Sequence, residues 1–296
     1  MEQANTERFR SFLHETGKTL RLLARNRTGL LGALLILAIA LLSLIGPLFV
    51  PPDREAHVSE IYQSPSPRHL LGTDFQGQDI LNQVIHGGRD ILIIAVAAGL
   101  LTTAIAVTIG SLSAFLGGYM DTLLMELANI WLTIPQFPLL VVLATIVKLN
   151  NVWLLALLLA ILGWPGFARQ VRSQVLSLKK RDYVEAAQLL NLGTGHIIFR
   201  EMLPNMAPFI AISLILSMTR AIYQQTGLIF LGLVPFSGTN WAVMLQLAFA
   251  RGALYQAQAA WSVIVPAGAI AVFQIGLVWF SRSLEEIFNP RLRTGV

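Results

Sequence analysis

The chain has no cysteine, so thiolate chemistry is excluded and cysteine usage leaves no mark of a redox compartment. Charge is scarce as well: 12% of the 296 residues are charged, about half the level of soluble domains. No G-x-x-x-x-G-K-[ST] string occurs, so the chain should not bind ATP through a P-loop. Gly193-Thr194-Gly195 is too short to cradle a phosphate and reads as a hinge. The five histidines (14, 57, 69, 86 and 196) all fall outside the long apolar runs. An intramembrane metal or serine protease needs histidine at membrane depth, so that class is disfavoured.

What is present is hydrophobicity. Apolar residues make up 55% of the chain, with mean hydropathy +0.64. Residues 28–52, 91–120, 127–147, 149–168 and 252–281 carry no charge, and 206–234 carries only Arg220. Each run reaches the roughly 20 residues a helix needs to cross the hydrocarbon core. These patterns predict an all-α membrane protein with six transmembrane helices and no nucleic-acid partner, the +5 net charge reporting loops rather than a nucleic-acid surface. The first run is read as a true span, because 27 residues precede it and no small-residue cleavage pattern comes after it. Pro135 and Pro138 should kink the third span.

With the N-terminus inside, the inner segments hold 15 Lys and Arg and the outer segments 5. The positive-inside rule then places both termini in the cytoplasm. Residues 1–89 form a basic lead, a first span and an external segment at 53–89. Residues 90–296 form a five-span core interrupted by an inner loop at about 169–204.

That loop is the longest polar interval after residue 90. Asp182 and Glu185 are spaced as in a capping box. Tyr183, Ala186, Ala187 and Leu190 fall at i, i+3, i+4 and i+7, which predicts one apolar face. Asn191 suits the left-handed backbone that ends a helix. Two readings stay open: a helix lying on the membrane surface, or a docking surface for something that drives the spans. Elsewhere, Asp74 and Asp79 read as turn formers in a Gly-rich loop, with a cation site as the alternative.

The string E-A-A at 185–187, with L-P at 203–204, resembles the EAA loop of permease subunits of binding-protein-dependent ABC importers. G-W-P-G-F-A-R-Q-V-R-S-Q-V-L-S-L (163–178) resembles the segment leading into it. F-L-G-L (230–233), with Trp241 and Met244, resembles the family's next outer-loop region. L-G-T-D (71–74) with Gly77 and Asp79, and N-P-R-L-R (289–293), are similar to the C-type subunit of oligopeptide and dipeptide permeases. The match covers about residues 20–293. Asn191, Gln78, Gln225 and Ala242 stand where that family usually has Gly, Arg, Glu and Gly.

The resemblance implies a type I ABC importer fold. It assigns ATPase coupling to the loop, here Asp182, Tyr183, Glu185, Ala186, Ala187, Leu190, Asn191 and Gly193. It implies a homologous second permease, two cytoplasmic ABC ATPase subunits that hold ATP and Mg, and an external substrate-binding protein. The chain itself would be non-catalytic and carry no cofactor, in the inner membrane of a prokaryote. Peptides are the expected solute, with oligosaccharide, opine and nickel as alternatives.

Two polar stripes cross the spans. Ser213, Ser217, Arg220 and Gln224 recur at i, i+4, i+7 and i+11; Glu126, Asn129, Thr133 and Gln136 recur at i, i+3, i+7 and i+10. A charge at mid-membrane depth needs water or a partner, so these stripes are candidate pathway residues, with interhelical hydrogen bonding as the alternative. Arg220 and Glu126 would also suit a secondary transporter or channel. Six spans without a visible repeat fit that class poorly.

Overall fold

The computed structural model describes residues 26–149, 151–234 and 239–288. Most of the basic N-terminal lead and the N-P-R-L-R string lie outside the described residues. Within them the chain is helical, and its one strand-like pairing is an isolated bridge between Thr73 and Asp79. The helices are α1 (Arg27–Leu44), α2 (Ile80–Leu116), α3 (Gly118–Thr133), α4 (Gln136–Ile146), α5 (Val152–Leu178), α6 (Asp182–Leu189), α7 (Leu203–Phe230), α8 (Trp241–Ala250) and α9 (Trp261–Phe288).

Their ends reflect local chemistry. Asn26, Asp79, Asn151 and Asn240 each accept a backbone N–H at the start of α1, α2, α5 and α8. α1 breaks at Ile45, and a single turn restarts at Gly46–Phe49 with Pro47 in its first positions. α2 stops at Gly117, where φ is +66°.

Five helical segments are long and apolar enough to cross a membrane, and α3 with α4 make a sixth only as a pair bent by 84°. The expected kink is therefore a full break, with α3 and α4 as two separate helices. Ile134 precedes Pro135, which disfavours helical backbone, and its ψ is 125°. Other boundaries also differ from the charge-free runs. α2 begins at Ile80, eleven residues before its run: Asp79 caps it there, and Gly87 and Gly88 let its first turns pack closely against Trp241. The last span begins at Trp261, after the separate helix α8.

α2 and α5 lie side by side. At Gly110 an added Cβ would sit 2.5 Å from the Ala168 carbonyl oxygen and 2.8 Å from the Val171 Cβ. α1 crosses α9 at Gly32 in the same way, 2.7 Å from the Phe280 nitrogen. Close backbone approach through small residues is how helices pack where lipid removes the hydrophobic drive. Polarity is inverted accordingly. Ser113, Ser283 and Gln225 are buried, while Leu34, Leu37 and Leu41 of α1 point outward. Asn26 Nδ2 donates to Glu286 Oε2 at 2.6 Å, tying the start of α1 to the end of α9.

The segment between α1 and α2 is a network of turns. Asp74 is buried and accepts from the amides of Gln76 and Gln78 and from Gln83 Nε2, at 2.8, 3.0 and 2.7 Å. Asp79 caps α2 and meets His69 Nδ1 at 3.0 Å. Both aspartates are turn and cap formers, and no metal-holding cluster exists among the described residues. Tyr62 sits in this network, and burial, then the Asp74 charge, holds its phenol above the ordinary value against the opposing Arg251.

Candidate functional site

α6 is positioned by the turn after α5. Arg181 takes the extended capping conformation without a side-chain bond, and the Val184 and Glu185 amides donate to its carbonyl at 2.9 and 3.0 Å. The expected Asp182–Glu185 capping box is therefore not formed. Asp182 lies one residue too far inside, where both carboxylates instead complement the positive helix end. At the other end, Leu192 N–H donates to the Ala187 carbonyl and Asn191 N–H to that of Gln188, with Asn191 at φ +52°. This is a Schellman closure with asparagine at the left-handed position.

The two faces of α6 differ from the expected single apolar stripe. Val184 and Ala187 are buried and join one cluster with Val171 and Val175 of α5, Ile197, Ile198 and Met202 after α6, and Met206 of α7. Tyr183, Ala186, Leu189 and Leu190 face outward, and so does Glu185. Ala187 thus belongs to the anchor and not to the free face; on this short helix only positions three apart reach the core. Leu189, missing from the sequence-based set, is 88% exposed and Leu190 74%. Gly193 is also exposed, and an added Cβ there would meet nothing within 4 Å. Residues Ile197–Met202 then form a wider π-helical turn that runs into α7. Such turns are often found at functional positions.

A polar latch lies beside this segment. Arg172 of α5 grips Asp121 of α3 through Nε and Nη2, both at 2.6 Å. Ser113 of α2 donates to the same carboxylate. Lys179 Nζ donates to the Phe115 carbonyl at 2.8 Å, closing the end of α2, and lies 5.4 Å from the Phe115 ring centroid. The latch joins α2, α3 and α5 where α5 hands over to α6. Sequence reasoning missed it because its partners are 51 residues apart.

The candidate pathway residues fall into separate groups. Ser217, Arg220 and Gln224 line a crevice of about 10 Å³ with Ala98, Thr102, Leu159 and Gly163. That is room for about one water. Ser213 is buried and lies outside this crevice. Asn129 instead lines a cavity of about 600 Å³ between α3 and α5. Glu126 and Thr133 are exposed on α3, and the Thr133 hydroxyl donates to the Ile130 carbonyl of its own helix. Gln136 Nε2 donates to the Leu162 carbonyl at 3.2 Å. Arg220 is exposed, and among the described residues no ion pair or side-chain hydrogen bond engages it. A cavity of about 790 Å³ opens at the opposite end of the bundle, lined by Arg54, His86, Met244 and Leu247 among others.

Residues 106–294 match the family model described as the inner membrane component of binding-protein-dependent transport systems, a stretch that includes α5, the π turn and the whole of α6. The chain belongs to this family. Residues 16–67 match a second model, the N-terminal membrane domain of oligopeptide transport permease C. Among curated relatives, an oligopeptide transport system permease protein of Bacillus subtilis is 32% identical over 270 residues, covering 90% of this chain and 87% of its own length. Its Mycobacterium tuberculosis counterpart is 30% identical over 273 residues, covering 91% and 92%. A Brucella abortus protein whose name calls it a peptide permease is 32% identical over 269 residues, covering 90% and 88%. The chain is thus a multi-pass membrane permease component of the oligopeptide-permease C type, and its E-A-A string at residues 185–187 lies on α6.

Proposed function

We propose that this chain is one of two permease halves of an ATP-driven importer in the inner membrane of a prokaryote. The solute is peptide-like, as the names of the relatives suggest, and an external substrate-binding protein delivers it. Of two cytoplasmic ABC ATPase subunits, holding ATP and Mg, one docks on α6. A homologous second permease covers the outward faces of α3 and α7. Both termini lie in the cytoplasm with α6.

The observation that carries this reading is the division of α6 into an anchored and a free face. Val184 and Ala187 bind it to α5, the π turn and α7 within one buried cluster. Tyr183, Leu189 and Leu190 stand clear of that cluster. A groove that grips the free face and moves displaces two membrane helices through the anchored one. The latch between Arg172 and Asp121 carries the same displacement to α3. Glu126, Asn129, Thr133 and Arg220 are exposed on membrane helices, which is costly against lipid and acceptable beside water or a partner. The pathway therefore runs between the two permeases, along α3, α5 and α7.

Because the chain lacks cysteine, the docking claim is testable by crosslinking in the assembled complex. A Tyr183→Cys variant should crosslink to an ATPase subunit, and Val184→Cys should not. Equal crosslinking at both positions, or at neither, would remove the docking assignment.

A further inference from the structure

Two arginines stand one turn apart on α5 and have different surroundings. Arg172 is held by Asp121 in a bidentate pair. Arg169 is exposed, and among the described residues no ion pair or side-chain hydrogen bond engages it. It lines the cavity of about 600 Å³ between α3 and α5 together with the paired Arg172, with Asn129, Gln170 and Ser173 as neutral polar neighbours and Met125 as an apolar one. Glu126, on the adjacent turn of α3, does not line it. The cavity therefore combines one uncompensated cation with amide and hydroxyl groups, and its size falls within the range of small-ligand sites. A planar guanidinium matches a carboxylate through two parallel hydrogen bonds.

The same face of α5 leads from this cavity towards Arg220. Gly163, Gly166, Gln170 and Ser173 succeed one another at i, i+3, i+7 and i+10. Gly163 lines the Arg220 crevice, while Gly166 lines the cavity. From Gly163 to Gln170 is about 10 Å along the helix axis. Gly166 is partly open on this face, while Gly163 is buried against Thr102 of α2.

We propose that the α3–α5 cavity is a carboxylate-binding station of the translocation pathway, in which Arg169 holds the C-terminal carboxylate of a passing peptide. This rests on the peptide-import reading and adds a ligand group and a residue to it. The phosphate of an anionic lipid could satisfy the same cation, so the test must separate the two.

The test compares uptake of trialanine and trialaninamide by the complete importer in proteoliposomes. The two peptides differ only in the C-terminal carboxylate. In R169A the ratio of trialanine to trialaninamide uptake should fall by roughly 10- to 100-fold, the weight of a charge-assisted pair. R169K should recover part of it, since a point charge lacks the planar fork. An unchanged ratio overturns the proposal, whether both peptides slow equally or neither does. So does an R169A defect that appears only when phosphatidylglycerol is added to phosphatidylcholine, which assigns Arg169 to lipid. A wild-type importer that moves neither peptide overturns the import reading instead. Equilibrium binding of trialanine to the complex in nanodiscs then reads the cavity separately: weaker binding in R169A sustains the station, and equal binding overturns it.

Discussion

Replacing Leu189 and Leu190 together by alanine separates docking from folding. Both side chains are on the free face of α6, 88% and 74% exposed. Burying a leucine fully is worth about 1.5–3 kcal/mol, so covering these two contributes at most about 2.5–5 kcal/mol, or roughly 60- to 4,000-fold in affinity. The folded chain gains almost nothing from them. The double variant should therefore melt with the wild type in detergent while losing affinity for the ATPase subunits by that factor, read by titrating the subunits onto immobilised permease. Val184→Ala gives the opposite pattern. It removes two methyl groups from a fully buried position and should lower stability by about 1–2.5 kcal/mol. ATPase affinity within threefold of wild type in the leucine double variant would refute the reasoning.

The same geometry sets other outcomes. Asp121→Asn leaves Arg172 without its bidentate partner and should cost about 1–3 kcal/mol in thermal unfolding, partly restored by exchanging the two charges. A melting curve matching wild type would show the latch to be idle. A cysteine at exposed Ser64 should react with an impermeant reagent in intact cells, and one at exposed Ser177 should not; the reverse would invert the topology. Arg220→Ala should slow uptake or shift peptide preference while the complex stays intact, with Arg220→Lys partly active. Normal uptake from a complex that falls apart would make Arg220 an interhelical tie.

The sequence made the spans legible because bilayer crossing demands long stretches without charge. Their ends were less so. Residues 80–89 read as part of the external segment, which is rich in Gly and includes Gly87, Gly88 and Arg89, yet the glycines pack against Trp241, which lies 157 residues from Val84 and bonds to its carbonyl. The existence of α6 and its left-handed exit at Asn191 were written in local chemistry. Its phase was not: with Arg181 as cap, the helix turns so that Val184 and Ala187 meet the core. Periodicity names a stripe but not which neighbour it meets. The Asp121–Arg172 latch and the grouping of Asn129 with Arg169 depend on how α3 meets α5, and no local pattern records that. Arg220 stood out because a lone charge in an apolar run is conspicuous at any fold.

The central claim is that motion at α6, driven by ATP hydrolysis in partner subunits, moves solute through this chain. Its most direct test is uptake of a labelled peptide into proteoliposomes holding this chain, its second permease, the ATPases and the binding protein. Uptake should require ATP on the side that α6 faces, persist when ion gradients are collapsed, and vanish in Leu190→Asp. Uptake that proceeds without ATP and tracks a proton or sodium gradient would contradict the account.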